Sequence, residues 1–225
     1  MSGKIINQSS NTIILAGIVS FTIIVVAAIW FLSQSNTPAP TPPTVAAPVA
    51  QDSMAGHHSG NNAQASTAAL AALVGQPAPS FTLTDRSGQV YNNETSKGKN
   101  VVLFFNEGLM CYPACWNQIA QLAEDDRFTD QTTVVLSVVV DPMKDWQRAV
   151  DKMPELAKAT VVFDTNKKVS AAFGVLTTPS SMHFGSLPGH SYVVIDQDGI
   201  VRHVYDDPRM ALHNDQLVAE LAKLN

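Results

Sequence analysis

Apolar and polar positions alternate along residues 66–225 in blocks that predict strands and helices in turn. Short runs rich in β-branched and aromatic residues predict buried strands at 101–105, 132–140, 161–163, 191–195 and 200–205. Segments with the apolar spacing of helices lie between and after them, at about 114–122, 143–153, 169–173 and 212–224. Strands that alternate with helices and then close with a hairpin and a helix predict an α/β domain with a central mixed sheet.

A different pattern occupies the first 65 residues. Residues 12–32 carry no charged side chain and are long enough to cross a bilayer as one helix. We expect an uncleaved anchor rather than a signal peptide, because the apolar run exceeds the usual ~7 to 15 residues and no A-x-A site follows closely. Residues 33–65, rich in Pro, Ala, Ser and Asn, predict a tether. The predicted order is a short cytoplasmic segment (1–11), an anchor (12–32), a linker (33–65) and a domain (66–225).

The charges around the predicted anchor indicate its orientation. Lys4 and the terminal amine precede the apolar run, so we expect the N-terminus in the cytoplasm and the domain outside. No Arg-rich amphipathic presequence is present, which favours the cytoplasmic membrane of a bacterium over mitochondrial import. Within the linker, Met54, His57 and His58 form a small group of soft ligands. We interpret them as part of a polar tether rather than as a metal-collecting tail.

The charge of the predicted domain excludes one class of partner. The domain holds all but one of the 14 basic and all but one of the 19 acidic residues of the chain. It is mildly acidic and has no basic stripe, which argues against nucleic acid or an anionic membrane surface as partner.

The two cysteines of the chain, Cys111 and Cys115, follow the predicted strand at 101–105 and open the next helix. Pro113 suits a first helical turn, so both thiols should lie at a helix N-terminus, where the helix dipole favours the thiolate. Thiolates attack disulfides and peroxides and bind soft metals, and the C-x-x-x-C spacing puts both sulfurs on one face. We expect Cys111 to be the more exposed and the attacking thiol. A structural disulfide or two inert buried thiols are the alternatives, but closing so short a loop should stabilise the fold by only about 2 kcal/mol.

Five segments carry a family resemblance: GQPAPSFTLTDRSGQVY, VVLFFNEGLMCYPACWNQI, VVVDP, VFDTNKKVSAAFGV and HSYVVIDQDGIV. Together they resemble the redoxin group of the thioredoxin superfamily, which includes the alkyl hydroperoxide reductase and thiol-specific antioxidant (AhpC/TSA) proteins. The resemblance covers about 75–224 and implies a thioredoxin-like fold and a thiol-disulfide oxidoreductase or antioxidant. Such a protein needs no cofactor and acts on a protein thiol, a disulfide or a peroxide. The implied site has catalytic and supporting residues: Cys111 and Cys115, supported by Glu107, Trp116, Pro188 and His190.

The sequence departs from the peroxidase motif of that family. The signature P-x-x-x-T-x-x-C would need Pro at 104 and Thr or Ser at 108, where this chain has Phe104 and Gly108. The family's peroxide-polarising Arg, just before the late strand, is replaced by His190. These departures argue against peroxidase activity.

A second resemblance involves the same cysteines. The Cys111–Cys115 spacing, DPMKD at 141–145, and His190 followed by a strand and D-x-D-G are similar to the Sco proteins. Those are membrane-anchored, thioredoxin-fold proteins that bind copper through two cysteines and a histidine during copper-oxidase assembly. The resemblance implies Cys111, Cys115 and His190 as copper ligands and a copper-oxidase subunit as partner. CYPAC lacks the CPxxCP-like context of that family, so copper binding is the alternative to the redox function.

The segment 174–189 has little secondary-structure signal, and compact domains rarely carry so long a loop without a function. We predict a lid over the cysteines that brings Met182 and His183 with it. Pro188 stands where thioredoxin relatives place a cis-proline. Beyond this loop, His203 and His213 are expected at the surface without a metal role.

Overall fold

The computed structural model describes residues 66–224, and the predicted anchor (12–32) and linker (33–65) lie outside them. Within the described range, no helix has both the length and the apolar character needed to cross a bilayer. The anchor and its orientation therefore stay predictions.

One sheet of seven strands forms the centre of the described domain, in the order β2-β1-β5-β4-β3-β6-β7. Strands β3, β4 and β5 are parallel to one another, and the remaining pairs are antiparallel. The strands are β1 Thr82–Asp85, β2 Val90–Asn92, β3 Asn100–Phe105, β4 Thr133–Val139, β5 Val161–Phe163, β6 Ser191–Ile195 and β7 Val201–Asp206.

Helices cover both faces of this sheet. The α-helices of the described residues are α1 Ala68–Ala71, α2 Ala114–Glu124, α3 Gln147–Lys152, α4 Lys168–Ala172 and α5 Asn214–Leu221. Side chains from α2, α3 and α5 pack with Val102 and Phe104 on one face, and side chains from α1 and α4 pack with Leu103 and Phe105 on the other. All six residues of β3 are buried, because successive side chains of a strand point to opposite faces and both faces are covered.

The predicted mixed α/β sheet flanked by helices is confirmed, and the strands at 161–163 and 191–195 have the predicted bounds. The segment 143–153 is not one helix but a 3₁₀ turn, Met143–Asp145, followed by α3. The last helix begins at Asn214 rather than 212, and the Asn214 side chain does not cap it. Its amide instead donates to the carbonyl of Gln121 and to Asp125 Oδ2, which joins α5 to the end of α2.

We predict that residues 66–225 fold without the preceding segments. Within residues 66–224, the members of the two hydrophobic clusters all lie at or beyond Leu70, so the fragment keeps every one of them. The fragment should show one cooperative transition in a thermal melt followed by circular dichroism. A gradual change of signal without a transition would contradict the domain boundary at 66.

Candidate functional site

The two cysteines form a disulfide at the junction between β3 and α2, where the sequence places them. Cys111 follows a 3₁₀ turn, Gly108–Met110, and Cys115 is in the first turn of α2, with a Cα–Cα distance of 5.3 Å between them. The expectation that Cys111 is exposed is wrong for this oxidised form, since Cys111 is 2% and Cys115 0% exposed. The neighbours Met110 and Tyr112 are 59% and 51% exposed, so the chain around Cys111 faces solvent while its sulfur points inward.

His190 lies against the inner sulfur of the pair. Its Nδ1 atom is 3.4 Å from Cys115 Sγ, and its Nε2 atom is 2.8 Å from the hydroxyl of Tyr192. Residues two apart on an extended segment share a face, which is why His190 and Tyr192 both reach the α2 side of the sheet. Phe104 of the neighbouring β3 packs on both rings, with centroid distances of 4.7 Å to each. The structure therefore brings Cys111, Cys115 and His190 together as predicted.

Burial keeps both ring systems neutral at physiological pH. It lowers the pKa of His190 to about 4, against the opposing effects of the Asp207 charge and the Ala211 backbone. Burial also raises the pKa of Tyr192, and the negative charge of Asp207 adds to that shift. His190 is accordingly a neutral imidazole with one hydrogen to place on either ring nitrogen.

The pKa of His190 leads to a prediction about stability. Between pH 6.5, its ordinary value, and about 4, the unfolded chain binds a proton that the folded chain excludes. Stability should therefore be full above pH 6.5 and fall as the pH drops toward 4, by up to roughly 3 kcal/mol from this residue. Urea unfolding near pH 7 and pH 5 should show a smaller loss in His190→Asn than in the wild type. Equal losses in the two proteins would contradict a buried neutral His190.

Asp207 organises the turn that holds Met210 beside the disulfide. Burial raises the pKa of Asp207, but hydrogen bonds from His213 and from backbone amides outweigh it and lower the pKa to about 2. The carboxylate contacts His213 Nε2 at 2.7 Å and accepts from the amides of Arg209 and Ala211. Met210 adopts a left-handed conformation, φ +52°, with its sulfur 3.8 Å from Cys111 Sγ.

His213 was expected at the surface, and that expectation is wrong. Its side chain is 10% exposed and its ring packs on Tyr192 and Tyr205. Its backbone amide donates to the buried Gln118 Oε1, so α2 and the turn before α5 are joined at this point. Residue spacing alone gave no sign of this pairing, because Asp207 and His213 belong to no recognisable motif.

Glu107 fastens the segment 174–189 to the end of β3. Its buried carboxylate accepts from the amides of Met182 and His183, at 2.7 and 3.0 Å, and contacts His183 Nδ1 at 3.0 Å. Glu107 therefore positions the loop. The peptide bond before Pro188 is not the cis bond found at this place in thioredoxin relatives, since the cis bond of the described residues precedes Pro113. The amide after Pro188, that of Gly189, donates instead to Val175, which holds the loop end in place.

Two contacts explain the departures from the peroxidase motif at positions 104 and 108. Phe104 is buried between Tyr192 and His190, where a proline would leave the rings without this packing. Gly108 has φ +58°, and a Cβ there would overlap the Asp141 carboxylate, so neither Thr nor Ser fits without rearrangement. The Gly108 carbonyl accepts a 2.9 Å hydrogen bond from Trp116 Nε1, which ties α2 to the turn before Cys111.

One group of side chains within residues 66–224 has the geometry of a metal-binding site. The ligand atoms of Cys111, Cys115 and His190 all lie within 4.8 Å of one another. The Nδ1 atom of His203 is 3.7 Å from Glu220 Oε2, and His213 is paired with Asp207. Neither histidine is part of this group. The two sulfurs share a bond in this form and could act as two thiolate ligands only after reduction.

Comparison with known proteins gives one consistent result. Residues 74–204 match the model of the AhpC/TSA family. "Peroxiredoxin Bcp" of Escherichia coli (strain K12) is 30% identical over 144 residues, which cover 63% of this chain and 90% of the relative. Two solved structures share the fold with a TM-score of 0.56 each. The reduced 2-Cys peroxiredoxin of Plasmodium vivax is 24% identical and covers 67% of this chain and 95% of its own. The peroxiredoxin-like protein of Aquifex aeolicus is 19% identical and covers 68% and 87%.

Proposed function

Because the chain belongs to the AhpC/TSA family, we propose that it is a thiol-disulfide redox protein whose Cys111–Cys115 pair carries two electrons. The observation that carries this proposal is the position of the disulfide. It lies at the N-terminal end of α2, with a neutral histidine against one sulfur and solvent-exposed residues on both sides of the other. A structural staple gains little from so short a loop, whereas a redox pair needs two sulfurs held this close.

In its reduced form the pair would pass electrons to a disulfide in two steps. The Cys111 thiolate attacks one sulfur of the partner disulfide, forms a mixed disulfide, and releases the other partner sulfur as a thiolate. Cys115 then attacks Cys111 and expels the second partner thiolate. The cysteine pair loses two electrons and two protons, and the partner disulfide is reduced to a dithiol. Cys111 lies just before α2, which begins at Ala114, and the nearby helix N-terminus favours the thiolate form of the attacking residue.

A disulfide fits this site better than a peroxide as the oxidant. The relative from E. coli is named a peroxiredoxin, but Phe104, Gly108 and His190 replace the residues of the peroxidase motif. The full chain, reduced and then mixed with oxidised glutathione or hydrogen peroxide, tests the proposal by the rate of thiol loss. We expect exchange with glutathione to be faster than for a small dithiol, and oxidation by peroxide to be no faster than for a free thiolate. A peroxide rate far above that of a free thiolate would make the protein a peroxidase.

We also propose that the domain works outside the cytoplasmic membrane of a bacterium, held by residues 12–32. The support is the uncharged apolar run of that segment and the positive charge before it. In such a compartment the disulfide would need a dedicated thiol donor to return to the dithiol. Alkaline extraction of membranes tests the anchor, because a spanning protein stays with the lipid and a peripheral one is released.

Copper binding is the second candidate, and the 4.8 Å grouping of Cys111, Cys115 and His190 favours it. Two thiolates and an imidazole suit Cu(I), and the thioether of Met210, 3.8 Å from Cys111 Sγ, adds a soft donor at the same place. Anaerobic titration of the reduced chain with Cu(I) against a competing chelator tests it. Stoichiometric binding that His190→Ala weakens by more than about 100-fold supports a ligand role, since smaller losses are typical of residues outside the ligand set. Binding no tighter in wild type than in His190→Ala would exclude the site.

A further inference from the structure

The hydroxyl of Tyr192 has a place in the site that electron transfer by two cysteines does not require. Tyr192 is 0% exposed, and the hydrogen bond of its hydroxyl within the described residues goes to His190 Nε2 at 2.8 Å. The other nitrogen of the same ring, Nδ1, is 3.4 Å from Cys115 Sγ. A hydroxyl, an imidazole and a sulfur thus form a chain of three buried groups, and the backbone of Ala211 also lies against the imidazole.

Two arrangements of that hydrogen are possible for a neutral imidazole. In the first, the Tyr192 O–H donates to Nε2, and Nδ1–H points at Cys115 Sγ. In the second, Nε2–H donates to the Tyr192 oxygen. The Tyr192 hydrogen then has no acceptor in the described structure, and the Nδ1 lone pair faces the lone pairs of a disulfide sulfur that has no hydrogen to donate. A buried donor without an acceptor loses its hydration without replacement, so the first arrangement is the stable one.

We propose that Tyr192 holds His190 in the tautomer with hydrogen on Nδ1, so that His190 donates to Cys115 Sγ and makes Cys115 the sulfur that leaves as a thiolate. The proposal rests on the redox function proposed above and assigns Tyr192 as a positioning residue acting through His190. During reduction, an external thiolate attacks Cys111 and forms a new S–S bond with it. The Cys111–Cys115 bond breaks, and its electron pair goes to Cys115, where Nδ1–H stabilises the charge.

The exposure of the surrounding chain points to the same direction of attack. Cys111 is itself only 2% exposed, but Met110 and Tyr112 on either side of it are more than half exposed. Trp116, next to Cys115, is 4% exposed, and the His190 ring lies against the Cys115 sulfur. We therefore expect a thiol donor to approach from the side of Cys111. A hydrogen bond to the sulfur that is not attacked makes that sulfur a better leaving group. Exchange is then faster.

Nuclear magnetic resonance of the oxidised, full-length chain, labelled at the histidine ring nitrogens, determines the tautomer directly. The His190 signals are those that disappear in His190→Asn. We expect a protonated Nδ1 and an unprotonated Nε2 on His190. In Tyr192→Phe, which keeps the ring stack on Phe104 but lacks the hydroxyl, Nε2 should become protonated in at least part of the population. A protonated Nε2 in the wild type would overturn the proposal. In that tautomer Nδ1 carries no hydrogen and is free to bind a metal. This measurement needs no turnover, so it decides the tautomer even if the proposed function fails.

The direction of attack is tested by brief exposure of the oxidised chain to glutathione, quenching with N-ethylmaleimide, and tandem mass spectrometry across residues 111–115. In the wild type we expect glutathione on Cys111 and maleimide on Cys115, with the reverse product at least about tenfold rarer. Tyr192→Phe and His190→Leu should lower the reduction rate by about tenfold and weaken this preference, because each removes a hydrogen bond that the leaving thiolate uses.

Two variants separate this effect from general damage to the fold. His190→Asn places an amide N–H where Nδ1 lies and should restore the preference lost in His190→Leu. Tyr205→Phe removes a hydroxyl from β7 and should leave rate and preference unchanged. Glutathione on Cys115 in the wild type, or an unchanged rate and preference in Tyr192→Phe, would overturn the proposal. A wild-type disulfide that resists glutathione would contradict the redox function itself.

Discussion

Replacing Cys111 with serine is expected to lower the rate of disulfide exchange by about a thousandfold or more, because it removes the nucleophile of a covalent mechanism. Cys115→Ser should be equally slow in turnover for a different reason. Its Cys111 can still attack a partner, but no second sulfur is present to release the mixed disulfide. The two variants should therefore differ in what they accumulate: Cys115→Ser should trap mixed disulfides and Cys111→Ser few.

Non-reducing gels and mass spectrometry of the two variants after mixing with oxidised glutathione measure this difference. The covalent adducts should disappear on addition of dithiothreitol. Met210→Leu is a useful companion variant, because it keeps the packing volume beside Cys111 while removing the thioether. Equal trapping by Cys111→Ser and Cys115→Ser would contradict the assignment of Cys111 as the attacking thiol.

Gly108→Ala is expected to destabilise the fold by about 2–5 kcal/mol, combining a non-glycine residue at positive φ with overpacking. Gly108 has φ +58°, and an added Cβ would overlap the side chain of Asp141. That carboxylate is not free to move without cost, since it accepts a 3.1 Å hydrogen bond from the Leu109 amide. Burial raises the pKa of Asp141, which is consistent with its enclosed position beside the turn.

A double-mutant cycle in urea separates the two costs. Gly98→Ala is the matched control, because Gly98 also has positive φ, +75°, but nothing lies within 4 Å of an added Cβ. It should lose about 1 kcal/mol from backbone strain alone. Adding Asp141→Ala to Gly108→Ala should recover the overpacking part, giving a coupling energy of about 1–3 kcal/mol. If Gly108→Ala lowers the free energy of unfolding no more than Gly98→Ala does, then Asp141 does not constrain this turn.

The sequence predicts the scaffold of the site well because the scaffold depends on local patterns. A continuous apolar run such as 101–105 predicts a strand buried on both faces, and β3 is that strand. The cysteines then follow at the strand-to-helix junction, because Pro113 and the apolar spacing of 116–122 indicate where the helix begins. His190 was identified through family resemblance, and the structure places its ring beside the Cys115 sulfur.

The remaining parts of the site depend on contacts between distant segments. Met210 lies 99 residues from Cys111, and its approach depends on the turn around Asp207, which no spacing rule describes. The burial of His213 follows from the ring of Tyr192 and from Gln118, both on other elements. In the sequence, nothing distinguishes Tyr192 from an ordinary strand residue. Only the pairing of β6 with β3 shows that its hydroxyl faces the site.

If the pair is a redox centre, Cys111 and Cys115 interconvert reversibly between dithiol and disulfide. Equilibration of the full chain in glutathione buffers of graded redox ratio, followed by alkylation and mass spectrometry, measures it directly. We expect two alkylated thiols at the reducing end, none at the oxidising end, and the same midpoint when it is approached from either side. A disulfide that stays closed at every ratio, or thiols that do not close again once reduced, would show that the pair is structural.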